Sequence, residues 1–288
     1  MSVFHAGERR LQKRAGVAER MADVGNKVIF NELPLQHQQF YPLLPLVFVA
    51  APDLNGQLWA SVLCGAHGFV QALDAKQLRI HALPNLTDPL YEQLRPHTPL
   101  GVLGLEFPTR RRNRANGYIA GVDNAGFTVM VEQCFGNCPK YIQTRCPTLL
   151  AKPTGSALSI TPNLNQQQCQ WITQADTFFI ASAWRNAVDI SHRGGNTGFV
   201  TVEDSRTLYV PDFAGNNYFN TFGNLVQNPN AALLFIDFER GDLLQLAVTA
   251  DVLWQGEQRG MRLHIHEVRH RVQALPIAWD AIPHLPPL

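Results

Sequence analysis

Short apolar runs broken by turn residues fill most of the chain from residue 43 onward. LVFVAA, QLWASVL, GFVQAL and QLRIHAL come first, followed by LGVLGLEF, RRNRANGYIAGV and GFTVMVEQCF. Runs this short, rich in β-branched and aromatic residues, predict strands rather than helices. Residues 147–168 interrupt them with Pro, Thr, Asn and Gln and read as a linker. The pattern then restarts with TFFIASA, AVDISH, GFVTVED, TLYVPDF, ALLFIDF and LLQLAVTADVLW. A helix is predicted over 216–227, and 260–272 reads equally as helix or strand. Residues 5–31 form a helical lead-in. Its Glu8, Arg9, Arg10, Lys13, Arg14, Glu19 and Arg20 alternate in sign around Leu11, Ala15, Ala18 and Met21, which suggests a solvated surface helix.

The two strand-rich stretches overlay. A shift of 130 residues puts Ser61 on Ser191, Gly65 on Gly195, Gly68-Phe69-Val70 on Gly198-Phe199-Val200, and Asp74 on Asp204. One more residue of shift puts Leu103 on Leu234 and Phe107 on Phe238. A fixed offset with matching glycine turns predicts an internal duplication of a β-barrel. The expected organisation is a lead-in over 1–35, a first repeat over 36–146, the linker over 147–168 and a second repeat with a C-terminal extension over 169–288.

Composition adds limits. Hydrophobic residues are 45% of the 288, enough for a buried core in each repeat, while net charge is only +1, so no general attraction to nucleic acid or an anionic membrane is expected. No apolar stretch is long enough for a membrane span. The five cysteines are odd in number and follow no secretory signal pattern, which points to a reducing cytoplasm. Cys134, Cys138 and Cys146 do not have zinc-ribbon spacing, and no metal is expected.

Differences between the repeats point to chemistry. The second repeat has Ser191-His192-Arg193-Gly194-Gly195 where the first has Ser61-Val62-Leu63-Cys64-Gly65. It then has Pro211-Asp212-Phe213-Ala214-Gly215-Asn216-Asn217, with Asn220 and Asn224 on the predicted helix, where the first has His81 to Thr87. Gly215 lets backbone approach a ligand, and Asn216 and Asn217 begin a helix whose free N–H groups favour an anion. Arg193 can grip a phosphate bidentately. Taken singly, Asn216 caps a helix and Gly215 makes a turn. The whole set, absent from the sister repeat, suits a phosphate monoester. In the first repeat, Arg110, Arg112 and Arg114 would share one strand face. That is either a solvated edge or a contribution to the ligand from across the repeat interface.

These segments, with Leu-Tyr-Val-Pro-Asp at 208–212, Asn228-Pro229 before Ala-Leu-Leu-Phe at 232–235, and Phe-Gly-Asn-Cys-Pro-Lys-Tyr-Ile-Gln at 135–143, resemble the pyridoxamine 5′-phosphate oxidase-like FMN-binding split-barrel superfamily. Within it they are similar to a bacterial flavin-nucleotide-binding subgroup. The resemblance covers about residues 35 to 280. It implies mainly β structure in two tandem Greek-key split barrels, six strands each, with FMN between two barrels that are usually two subunits. Here one chain would supply both, with a homodimer still compatible. It implies Arg193, Asn216 and Asn217 near the phosphate, and Ser191, His192 and Asp212 along the ribityl chain and ring. Gly194, Gly215, Asn220, Asn224, Arg112, Arg114 and Lys140 complete the expected set. The chain departs from the oxidase in carrying Asn where that turn typically has Arg or Lys, so vitamin B6 oxidation does not follow. The expected function is an FMN-dependent oxidoreductase, with NADH, NADPH or a separate reductase as electron donor, His192 as the best candidate acid or base and Tyr218 a distant second. The alternatives are a flavin carrier or sensor without turnover, and a barrel scaffold that binds no flavin.

Overall fold

The computed structural model describes residues 2–150, 157–256 and 258–281. Two antiparallel sheets dominate it. The first contains β1 (Leu46–Pro52), β2 (Leu58–Cys64), β3 (Val70–Ala72), β4 (Gln77–Ile80), β5 (Pro99–Glu106), β6 (Arg111–Asp123) and β7 (Gly126–Gly136), in the order β2-β1-β5-β6-β7-β4-β3. The second contains β10 (Thr177–Trp184), β11 (Ala187–Gly194), β12 (Thr201–Asp204), β13 (Thr207–Pro211), β14 (Asn230–Ile236), β15 (Leu243–Gln255) and β16 (Gln258–Arg271). Its order is β11-β10-β14-β15-β16-β13-β12, the same path strand for strand. In each sheet the two end strands follow one another in sequence but are not neighbours in the ladder, which leaves a split in the barrel wall. Each path has seven strands, against the six expected, because the short β3 and β12 hairpin arms are both paired.

The repeats match in register as well as order. Phe48 pairs with Leu103 and Phe179 with Leu234; Val49 pairs with Ser61 and Ile180 with Ser191. Gly68 and Gly198 hold φ of 85° and 88°, the left-handed region that favours glycine in a turn. Asp74 and Asp204 each accept a 2.7 Å bond from the backbone N–H two residues on. Alternation along the strands fills two barrel interiors, one around Val49, Val102 and Phe127, the other around Ile180, Leu233 and Leu263.

A third cluster lies between the barrels, and there the equivalent side chains meet each other. Phe48 stacks on Phe179 with ring centroids 3.6 Å apart, and Phe107 meets Phe238 edge-on at 6.2 Å. Strand β2 packs on β14 and β15 just as β11 packs on β5 and β6. The chain is therefore two barrels related by a local twofold, with an apolar seam on the axis.

The remaining elements correct two expectations and settle a third that was open. The lead-in is two helices, α1 (Ala6–Arg14) and α2 (Ala18–Val28), followed by α3 (Leu35–Phe40). Helix α1 is not a solvated surface helix: Glu8, Leu11 and Gln12 are buried, and Leu11 joins the second barrel's core. The segment expected as a linker contributes β8 (Arg145–Leu149), which pairs with β17 (Ile277–Ala281); β9 (Leu158–Thr161), which extends the second sheet beside β16; and the start of α4 (Gln166–Gln174). The ambiguous stretch 260–272 lies almost wholly in β16.

Candidate functional site

One cleft runs between the barrels, enclosing about 850 Å³ with its open mouth included. From the first repeat come the start of β6 and the segment after β7; from the second come the end of β11, the turn after β13, and α5 (Asn220–Leu225). Strand alternation sorts the β11 side chains. His192 shares a face with Val188 and Ile190, which belong to the inter-barrel seam, while Ser191 and Arg193 take the other face. Of the residues expected at a ligand site, Ser191, His192, Arg193, Gly194, Asp212, Gly215, Asn216, Asn217, Asn220, Arg112, Arg114 and Lys140 all line this cleft. Asn224 does not. It is buried within α5, where its Nδ2 donates to Ser182 Oγ at 3.0 Å and its Oδ1 meets His5 Nε2 at 2.9 Å.

The helix was expected from Asn216. It starts at Asn220, because Asn217 and Phe219 hold φ of 62° and 61°, outside helical space. The side chain of Asn216 instead accepts from Tyr218 N–H at 3.1 Å. Asn216 and Asn217 therefore form a polar turn and not a helix N-terminus. Tyr141 also holds a positive φ, 66°, and its hydroxyl donates to Ala214 O at 3.1 Å. Strained backbone of this kind concentrates around functional sites.

Arg110 was expected on the strand face with Arg112 and Arg114. It lies instead in the turn before β6, at φ 59°. Arg112 and Arg114 do face the cleft, but in different states. Arg114 crosses the repeat interface to Asp189 at 2.5 Å and to Ser191 Oγ at 2.7 Å, and Asn116 Nδ2 joins Asp189 at 2.9 Å. It is a clamp between barrels. Arg112 donates Nε to Cys138 O at 2.8 Å and NH1 towards His192 Nδ1 at 3.2 Å. Burial, with Arg114 and Arg193 nearby, pushes the Arg112 guanidinium down to about 9, so it stays charged at neutral pH.

A guanidinium only donates, so His192 Nδ1 accepts and the ring proton sits on Nε2. That atom is buried with no partner. Burial first, then Arg112, Arg193 and Arg145, hold the imidazole far below its ordinary pKa, so His192 is neutral. Arg193 NH1 meets Asp212 Oδ1 at 3.1 Å, and its Nε is likewise buried without a partner. Arg259, at the start of β16, takes the other Asp212 oxygen at 3.2 Å. Sequence reading missed Arg259; it enters through the β15–β16 hairpin and packs over Phe219 and Trp254, with no local motif to mark it. The cleft thus holds Arg112, Arg114, Lys140, Arg193 and Arg259 against Asp212, a strongly cationic lining with three unsatisfied donors, Arg114 Nε, His192 Nε2 and Arg193 Nε.

The local twofold generates an equivalent position on the other side of the seam. Ser61 stands there for Ser191, and Gln245 for Arg114. The chain fills it. Arg271 NH1 pairs with Asp88 Oδ2 at 2.6 Å, with side chains 3% and 1% exposed, and Ser61 Oγ donates to the same carboxylate. Gln245 Nε2 donates to Ala60 O at 2.8 Å.

No protein-family model matches the chain, and no curated protein matches it. Among solved structures it is similar to a candidate pyridoxamine 5′-phosphate oxidase from Lactobacillus delbrueckii, with 16% identity, over 38% of this chain and 94% of that one, at a TM-score of 0.32. It is similar to an FAD-binding protein of Mesorhizobium loti with 12% identity, over 41% and 98% of the two chains, at a TM-score of 0.30. A third such structure is the FAD-binding protein from Mycobacterium smegmatis, with 18% identity, over 40% and 98%, at a TM-score of 0.27.

Proposed function

We propose that the inter-barrel cleft holds a phosphorylated flavin, FMN, and that the chain is an FMN-dependent oxidoreductase related to pyridoxamine 5′-phosphate oxidase. The observation that carries this reading is Arg193: a half-buried side chain whose Nε is fully buried and lacks a partner, in a cleft with four further cations. A buried unpaired donor of that kind is costly and calls for an acceptor. A phosphate monoester supplies charge and several acceptor oxygens together. Arg193 and Arg259, with the Asn216–Asn217 turn and Lys140 at the rim, are the groups we assign to the phosphate. Ser191, Arg112 and the Nε2–H of His192 are assigned to the rest of the flavin. When bound, the isoalloxazine supplies the redox chemistry. The chain's part is to bind and orient it, with His192 as a neutral hydrogen-bond donor.

The purified protein should show flavin bands in the visible spectrum, or acquire them on adding FMN. Arg193→Ala should weaken FMN by about 1.5–3 kcal/mol, roughly 10- to 150-fold. Equal affinity in wild type and variant, by fluorescence titration, would sink the assignment. One observation favours a second reading, a flavin carrier served by a separate reductase. His192 is uncharged and Asp212 is committed to two arginines, so neither is free to shuttle protons. Reduction of the bound flavin by NADH or NADPH alone supports the oxidoreductase; reduction only with an added reductase supports the carrier.

A further inference from the structure

Arg112 lines a second cavity besides the inter-barrel cleft. This is a groove of about 690 Å³, mouth included, on the first repeat, walled by Arg110, Arg111, Asn113 and Gln36 beside the ring of Phe40. Three successive arginines border it, and one of them, Arg111, is paired with an acid. Glu106 accepts from Arg111 Nε at 2.8 Å and pairs with its NH2 at 2.7 Å, and the Arg111 guanidinium lies 5.4 Å from the Phe40 ring centroid. Arg110 has no ion-pair partner among the described residues, and its φ of 59° holds it in the turn rather than on the strand. Asn137 borders both cavities, and its Oδ1 is buried without a partner.

We infer that this groove is a second anion subsite, joined to the cleft through Arg112, that takes the phosphate or pyrophosphate of an adenine nucleotide. Three guanidiniums against one carboxylate leave two positive charges, which match a phosphate dianion better than a single carboxylate. The amides of Gln36, Asn113 and Asn137 offer donors and acceptors for the edge of a base, and the exposed Arg111 guanidinium, seated over the buried Phe40 ring, offers a flat surface for its face. The nucleotide has two sources of the same chemistry: the adenylate half of a flavin dinucleotide that spans both cavities, or a nicotinamide dinucleotide docked beside the flavin. The choice between them rests on the flavin reading of the cleft; the anion subsite itself does not.

The test uses ADP as probe, measured by calorimetry on the full chain, with and without saturating FMN. The variants are Arg110→Glu and Arg110→Ala, at a residue that is not itself assigned to the flavin. ADP should bind in both conditions, and Arg110→Glu should weaken it by about tenfold or more while FMN affinity stays within about twofold. Arg110→Ala should fall between, which separates lost charge from a disturbed turn. Absence of ADP binding, equal binding in the variants, or simple competition between ADP and FMN would overturn the subsite. If FMN fails to bind but ADP binding still depends on Arg110, the flavin reading falls and the groove stands. FAD that displaces ADP and outbinds FMN, with that advantage lost in Arg110→Glu, identifies the flavin's own adenylate. NADPH that displaces ADP from the FMN-saturated protein identifies the nicotinamide donor.

Discussion

Glu8 is a carboxyl group that the fold keeps from water. It accepts from Asn220 Nδ2 at 2.5 Å and from its own helix cap, His5 N, at 2.8 Å. Burial is the largest influence, and it raises the pKa from 4.5 to about 7. Between those values the native protein holds a proton that the unfolded chain releases. Unfolding free energy contributed by Glu8 therefore falls as pH rises through that window. His5 and His192 have lowered pKa values, so they contribute a slope of opposite sign below 6.5. The difference between wild type and Glu8→Gln isolates the carboxyl: the variant should lose stability less as pH is raised from 4.5 to 7, read from thermal midpoints in that range. Identical pH profiles would mean the carboxyl is not buried as described. Asp212 invites a converse experiment. It separates Arg193 from Arg259, so an incoming phosphate must compete with it. Asp212→Asn should tighten FMN by about three- to tenfold while lowering the thermal midpoint, because two cations are left facing each other until an anion arrives. Weaker FMN binding would show that Asp212 holds the arginines in place rather than competing for them.

At the scale of elements, α1 and α5 meet with almost no space between them. A Cβ on Gly7 would lie 2.1 Å from Gly223 O, and Gln12 Nε2 reaches Tyr218 O at 3.1 Å. Helix α5 follows directly on the polar turn of the cleft, so α1 is a brace behind the site. Gly7→Ala should cost roughly 1–3 kcal/mol by overpacking and weaken FMN as well, through displacement of α5. Unfolding and flavin titrations on the same variant check both; lost stability with unchanged flavin affinity would show that the brace does not reach the site. This contact was not legible in the sequence. Alternating charges in α1 read as a solvated face, and nothing local marks a glycine that will meet a carbonyl more than 200 residues away. What was legible had a local cause. Gly68 and Gly198 mark turns because the backbone there demands positive φ, and the strands announce themselves by their β-branched and aromatic content. The start of α5 was misread because asparagines suit a helix cap and a left-handed turn equally well. Arg259 and the Asp88–Arg271 pair were missed because they depend on which strands the topology brings together.

On the scale of the whole molecule, the two repeats share a path but not a task. Only one of the two equivalent positions across the seam is an open cationic cleft; the other is occupied by Arg271 and Asp88. FMN titration should therefore end at about one equivalent per chain. An end point of two would mean the buried pair opens. Arg271→Met would leave Asp88 buried without its cation, and should cost about 3–5 kcal/mol by denaturant unfolding while sparing flavin affinity. The seam through Phe48 and Phe179 has one more consequence. Where two identical subunits form such a cleft, each wall is a separate molecule, and dilution takes the site apart. Here Arg112 and Arg193 sit on opposite walls yet share one backbone. The dissociation constant for FMN should be the same whether it is measured on a nanomolar or a micromolar solution of the protein.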